Sequence, residues 1–393
     1  MKNNTIHNSR IAPVTMVWLV VFVLLINITS GLCQSVSNGM KPSDNNATRT
    51  TVALYSNLFK LSADHILLGH QDALSYGISW NGDTYRSDIK DVTGSHPAVF
   101  GWDVGGIDIG LTKNLDSVPF DKMRENIQAV FRNNGVNTIS WHAYSPLNGK
   151  DSWTDQSKSD PTVSHILPGG KYHEAFKTNL DRVAEFLKSC KTDSGELIPL
   201  IFRPWHENTG NWFWWGQKHC TTGQYKQLYR FTVGYLRESH GLHNLLFAYS
   251  PDVQFIDYNG YLERYPGDDV VDIIGLDDYN SLNTCHPEKL KSNLEVIARV
   301  ARDRNKMAAF TETGCNRIER KGYFTQELLP CLNHSELTRS VAWVLFWRNA
   351  DRKQHFVPDK EHEEAADFIE FTDSRNIMLL NDLPDMYSES RKP

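Results

Sequence analysis

The chain has 393 residues, 22% of them charged, with a formal net charge of -6, so no basic stripe marks it for a nucleic-acid partner. That length holds one large domain or two ordinary ones, and a (β/α)8 barrel routinely uses 250 residues or more as one unit. Eleven tryptophans and fifteen tyrosines suit a large core or a neutral, ring-shaped ligand, and nothing in the composition demands an ionic substrate.

At the N-terminus, Lys2 and Arg10 precede an apolar run from about Val14 to Ile28, and small and polar residues follow around Ser30 to Gln34. Charge, apolar stretch and polar exit in that order read as a secretory signal over residues 1–33. The rival is an uncleaved anchor, for which the run falls short of the ~20 apolar residues a spanning helix needs. Cys33 stands where a lipid-modified cysteine would, but Ser30-Gly31-Leu32 is a poor approach to one. Export to the periplasm or the extracellular space is therefore expected, with membrane contact only through the signal or such an anchor. Residues 34–50 are polar and aperiodic and read as a linker. The six cysteines, Cys33, Cys190, Cys220, Cys285, Cys315 and Cys331, show no C-x-x-C spacing. Export permits disulfides, and Cys315 with Cys331, or Cys220 with Cys285, are candidate pairs whose choice the spacing leaves open.

From Thr51 to Ser62 the apolar spacing predicts a helix. Eight short apolar runs follow, each ending in polar or aromatic groups: Ile66 to Gln71, Ala98 to Asp103, Thr138 to His142, Ile198 to Glu207, Leu245 to Asp252, Val271 to Tyr279, Met307 to Glu312 and Val341 to Asn349. Amphipathic stretches alternate with them over Phe120 to Asn133, Tyr172 to Leu187, Tyr225 to Leu236, Leu290 to Ala301 and Glu361 to Phe371. Buried parallel strands read as continuous apolar runs, and eight of them separated by helices give an α/β fold, the (β/α)8 TIM barrel, with its active site at the C-terminal ends of the strands. An open doubly wound sheet lacks support, because no Gly-rich turn follows the first run. Gly135, Gly195 and Gly241 stand where left-handed helix caps are wanted. The long loops 143–170 and 208–223 follow the third and fourth runs and belong on the functional rim.

Glu207 ends the fourth run and Glu312 the seventh, so in a closed barrel both stand on one rim. Two facing carboxyl groups are what glycoside hydrolysis needs, and about 5 to 5.5 Å between them is the retaining geometry. The loop after Glu207 carries Trp212, Phe213, Trp214 and Trp215, read as a stacking surface for sugar rings. Arg203, on the barrel-facing side, can hold a carboxylate ionised through a bidentate pair, and its assigned role is to support the second carboxylate. Tyr279 can donate a hydrogen bond to that carboxylate, Asp277 can bind substrate or orient its neighbours, and Trp212 and Trp347 are candidate platforms.

Four motifs in chain order carry a resemblance: Arg203-Pro204-Trp205-His206-Glu207 with Trp212 five residues on, Asp277-Asp278-Tyr279, Phe310-Thr311-Glu312-Thr313-Gly314, and Trp347-Arg348-Asn349. Together they resemble glycoside hydrolase family 26, the β-mannanase family, over roughly residues 51–385, which leaves 386–393 as a C-terminal tail. The resemblance implies Glu207 as acid/base and Glu312 as nucleophile of a retaining double displacement, with His206 and His142 contacting the sugar before the scissile bond. A catalytic metal is not expected: His70-Gln71-Asp72 replaces the His-x-His pair of metal-dependent barrel hydrolases, and no H-E-x-x-H occurs. The expected activity is an exported, monomeric, cofactor-free endo-β-1,4-mannanase acting on mannan, glucomannan or galactomannan. A mixed-linkage glucanase or xylanase of the same family is the enzyme alternative. A non-catalytic glycan-binding barrel is the other, and the presence of both Glu207 and Glu312 argues against it.

Overall fold

Each of the eight apolar runs falls on one strand of a closed parallel barrel, the third strand beginning two residues before its run and the seventh ending one residue after. The computed structural model describes residue 1 and residues 40–255 and 257–388. The strands are β1 (Ile66–Gln71), β2 (Val99–Asp103), β3 (Val136–Trp141), β4 (Leu200–Pro204), β5 (Leu245–Tyr249), β6 (Ile273–Asp277), β7 (Met307–Thr313) and β8 (Trp343–Phe346). Each pairs in parallel with its successor, and β8 returns to β1 from Leu67↔Trp343 to His70↔Phe346, which closes the ring. Every residue of all eight strands is buried, so neither sheet face meets water and the apolar runs needed no polar alternation. A short extra strand, β9 (Ile377–Met378), lies beside β1.

The helices are amphipathic at the expected period. In α2 (Phe120–Arg132), Phe120, Met123, Ile127 and Val130 form the buried stripe. The others named here are α1 (Arg49–Leu61), α3 (His173–Ser189), α4 (Thr222–Gly234), α5 (Pro287–Asp303) and α6 (Ala365–Thr372). Helix α4 starts three residues earlier than its apolar spacing predicts because Thr221 and Gln224 form a capping box. Helix α6 starts four residues later than predicted: Glu364 turns its carboxylate to the Gly322 N–H at 2.7 Å. Gly195 and Gly241 have φ of +89° and +65°, as their cap positions require, but before β3 the left-handed residue is Asn134 at +62°. Gly135 serves close packing instead, since a Cβ there would lie 2.8 Å from Val130 and 3.0 Å from Phe100.

Three expectations are corrected. The stretch read as a linker is docked in its second half: the Ser43 N–H donates to Asp272 at 2.5 Å, Asp44 meets His243 at 2.8 Å, and the Thr48 side chain caps α1. A compact unit accordingly begins at Lys41. The tail begins later than residue 386, because Met386 and Tyr387 are buried and the Tyr387 hydroxyl donates to the Gly135 carbonyl at 2.6 Å. Neither candidate disulfide forms, since Cys190, Cys220, Cys285, Cys315 and Cys331 are all free; Cys220 instead takes a hydrogen bond from Arg264 at 3.1 Å. The stretch expected to be a signal lies, from residue 2 onward, outside the described residues, and among those described no helix is long and apolar enough to cross a membrane.

Candidate active site

Strand β4 stops at Pro204, and the next three residues turn sharply: Trp205 has φ +57° and Glu207 has φ +52°. Left-handed backbone costs a residue with a side chain about 1–3 kcal/mol and persists only where the surroundings dictate it. Here they do. The indole of Trp205 is buried against Trp141, Trp214 and Trp215, its N–H donates to Thr232 at 3.1 Å, and its carbonyl accepts from the Tyr225 hydroxyl at 2.9 Å. The Glu207 N–H is fixed on the Ser250 carbonyl at 2.8 Å. The turn lifts Glu207 off the strand and onto the barrel mouth.

Strand β7 delivers Glu312 by a different device. The register between β6 and β7 slips at Leu276↔Phe310 and Asp277↔Glu312, leaving Thr311 as the extra residue. Such an irregularity re-aims the side chains beside it. The Thr311 hydroxyl is left to bond Asp277 at 2.7 Å, and Glu312 receives Arg203 on Oε2 and the Tyr279 hydroxyl on Oε1 at 2.8 Å. Arg203 does not grip one carboxylate with both nitrogens, as expected from the sequence. Its second nitrogen goes to Asp277 at 2.5 Å, so one guanidinium bridges two carboxylates. The Asp277 side chain is fully buried and braces Arg203, the orienting one of the two roles expected of it. Both Glu312 oxygens thus face a donor, Arg203 on one and Tyr279 on the other.

Glu207 sits in the opposite environment. Its pKa is pushed well above the usual carboxylate range by burial and by the nearby Glu312, Asp277 and Asp252. Only the Trp212 indole N–H, 2.6 Å from Oε2, favours the charged form among the named influences. Two carboxyl groups on one rim thus stand in different environments: that of Glu207 favours the protonated form that can give a proton, and Glu312 is bound by two donors.

His142 and His206 lie side by side and buried, their Nε2 atoms 3.3 Å apart. Burial lowers the basicity of His142, but Asp103, 2.7 Å from its Nδ1, more than offsets this and raises its pKa. His206 is pushed well below the ordinary value by burial, by Arg203 and by His142. The Nδ1 atom of His206 is buried without a protein partner. Trp347 is half-buried with its ring 6.1 Å from that of His142.

The expected stacking surface shrinks: Phe213, Trp214 and Trp215 are core residues, and only Trp212 of that run is partly open. Phe213 nevertheless backs the pocket, edge-on to both His142 and His206. Sequence reasoning gave no role to Asp103, whose strand-end position was its only signal, nor to Trp153, which is 56% exposed and edge-on to Phe213. It also passed over the cluster beside β1 and β8, where Arg348 meets Asp116 at 2.8 Å and Tyr76 meets Asp72 at 2.6 Å. Among the described residues, no group of His, Cys, Asp or Glu is arranged to hold a metal ion.

The family profile of glycosyl hydrolase family 26 matches residues 43–328, which include Arg203, Glu207, Tyr279 and Glu312. The chain belongs to glycosyl hydrolase family 26. It is 35% identical over 379 residues to the mannan endo-1,4-β-mannosidase of Bifidobacterium adolescentis, covering 90% of this chain and 37% of that relative's length. The family-26 β-mannanase structure from Bacteroides ovatus superposes with a TM-score of 0.83 at 39% identity, over 88% of this chain and 99% of that one. The modular endo-β-1,4-mannanase of Cellulomonas fimi gives 0.82 at 33% identity, over 89% and 80%. Family 26 membership thus rests on the whole barrel as well as on the rim motifs.

Proposed function

We propose that this family-26 barrel is an endo-β-1,4-mannanase that cleaves mannan, glucomannan or galactomannan with retention of configuration. The observation that carries the reading is the split between the two carboxyl groups: Glu312 bound by Arg203 and Tyr279, Glu207 half-buried with a raised pKa. In the first step Glu312 attacks the anomeric carbon while Glu207 gives its proton to the departing oxygen. The bond between that carbon and oxygen breaks, and a glycosyl-enzyme ester forms. In the second step Glu207, now a carboxylate, takes a proton from water, and the water oxygen displaces Glu312. The half-open rings of Trp212 and Trp347 supply apolar faces for the sugars. Mannan is the favoured substrate because the relatives named above are mannanases. Residues 1–33 are assigned to an export signal.

The test is to incubate the purified protein with mannan, xylan and mixed-linkage β-glucan, measure new reducing ends, and follow the first-formed anomer by NMR. Release from mannan with a β-anomer appearing first is expected. An α-anomer first would overturn retention, and release only from xylan or mixed-linkage glucan would overturn the substrate. For export, N-terminal sequencing of the mature protein should find its first residue near position 34; a retained Met1 would sink that assignment.

A further inference from the structure

Trp212 was expected to serve as a sugar platform, yet its most specific contact is with protein. Its indole N–H lies 2.6 Å from Oε2 of Glu207, on the same strained turn. The rest of the loop holds the indole there. The Trp212 carbonyl accepts the Thr154 N–H at 2.8 Å, and the neighbouring Asn211 carbonyl faces His219 Nε2 at 2.8 Å. Gly210 supplies the room. A Cβ on it would lie 2.4 to 2.6 Å from three atoms of the indole's six-membered ring, so no other residue leaves that ring where it stands.

An indole nitrogen is a donor only. A carboxylic acid has one proton and two oxygens, and because its carbonyl oxygen is the stronger acceptor, an N–H facing one oxygen favours the proton on the other. We infer that Trp212 is a positioning residue for the acid: by occupying Oε2 of Glu207 it confines the transferable proton to Oε1. This rests on the assignment of Glu207 as the acid/base and adds to it the choice of oxygen. In the transfer, the Oε1–H bond breaks as the new O–H bond on the departing sugar oxygen forms. The resulting carboxylate keeps its charge-assisted bond to Trp212, which strengthens as charge develops. The titratable and charged groups that bear on Glu207 are Glu312 from β7, Asp277 from β6, Asp252 after β5, Arg203 from β4 and Tyr279 after β6. The three carboxyl groups disfavour its ionised form, and the Arg203 cation and Trp212 oppose them.

Two variants separate this role from stacking. Trp212→Phe keeps a flat ring and deletes the N–H, while Gly210→Ala keeps the N–H and displaces the ring. Both are compared with wild type by thermal melting, by kcat/KM on mannan against pH, and on an aryl β-mannobioside with an acidic phenol leaving group. Both variants should melt near wild type and lose about tenfold on mannan, part of the roughly 10²- to 10⁴-fold a general acid supplies. Their alkaline limb should move upward by at least about half a pH unit, because a donor that favoured the carboxylate is gone. The aryl substrate, which needs no proton, should lose far less. An unmoved alkaline limb in Trp212→Phe, or equal losses on both substrates, would overturn the inference. Glu207→Ala is run in parallel. If it too fails to distinguish the substrates, the acid assignment itself is wrong; if it distinguishes them and Trp212→Phe does not, only the role of Trp212 falls.

Discussion

Removing Glu312 and removing Glu207 should not have the same effect, although both are glutamates at strand ends. Glu312→Ala deletes the attacking group and should abolish turnover of every substrate. Glu207→Ala should cost roughly 10²- to 10⁴-fold on mannan but little in the first step on an aryl glycoside with an acidic leaving group, where glycosyl-enzyme should accumulate as a burst. Equal losses on the two substrates would remove the distinction. The same environment makes a stability prediction. Glu207 is an acid whose folded pKa lies above its unfolded value of about 4.3, so its contribution is fully present below that pH and is lost as pH rises toward the folded value. Glu207→Gln, which cannot ionise, should therefore melt at nearly the wild-type temperature near pH 4 and progressively above it as pH rises to 7. A constant difference across that range would mean that the ionised acid is not what strains the fold. At this scale the sequence revealed Glu207, Glu312 and Tyr279, because strand-end position alone brings them to one rim. It did not reveal that Arg203 bridges Glu312 and Asp277, or that Asp103 orients His142, because those pairings depend on rotamers and on register between strands distant in the chain.

Strand β8 shows how an element divides two residues of one type. Trp343 begins the strand and is fully buried, whereas Trp347 stands one residue beyond its end with its ring toward His142. Trp343→Ala should cost about 3–5 kcal/mol of stability, the range for a buried aromatic truncated in a core. Trp347→Ala should melt close to wild type while kcat/KM on mannan falls at least about tenfold, equivalent to ~1.4 kcal/mol of transition-state binding. Unfolding by Trp347→Ala with normal turnover in the folded remainder would make Trp347 a core residue. Strand positions such as these are legible because burial follows directly from which side of the strand end a residue occupies. Loops are not. Four successive aromatic residues from Trp212 to Trp215 have no period to sort them, and what buries three is tertiary: Trp214 and Trp215 pack on Trp205, and Phe213 pairs with Trp153 of the preceding loop. The slip at Thr311 was equally hidden, since a register irregularity belongs to a pair of strands and leaves no mark in either run alone.

Across the whole molecule, closure of eight parallel strands gives the barrel one chemically active rim and one that serves stability. Eight apolar runs in order announce that division, whereas the second rim's fastening is invisible in an aperiodic, polar segment. Ser43, Asp44 and Thr48 meet Asp272 and His243, which stand just before β6 and β5, at the end of the strands opposite Glu207. Arg237, nearly buried, donates to the Ser43 hydroxyl at 2.6 Å and lies 3.8 Å from Asp44 and 3.7 Å from Asp272. A polar stretch can dock in this way because its backbone and carboxylate satisfy groups that burial would otherwise leave unpaired, each worth about 1–3 kcal/mol. A chain that starts at residue 49 should therefore lose several such pairings and melt roughly 5 °C or more below one that starts at residue 41. Its kcat on mannan, measured below both melting temperatures, should be unchanged, because the lost contacts lie at the far end of the barrel from Glu207 and Glu312. Asp44→Ala in the longer chain should fall between the two, since it removes the His243 and Arg237 partners but leaves the Ser43 N–H on Asp272. Equal melting of the two chain lengths would show that the docked segment adds no stability, and a fall in kcat without a fall in melting temperature would show that the two rims are coupled.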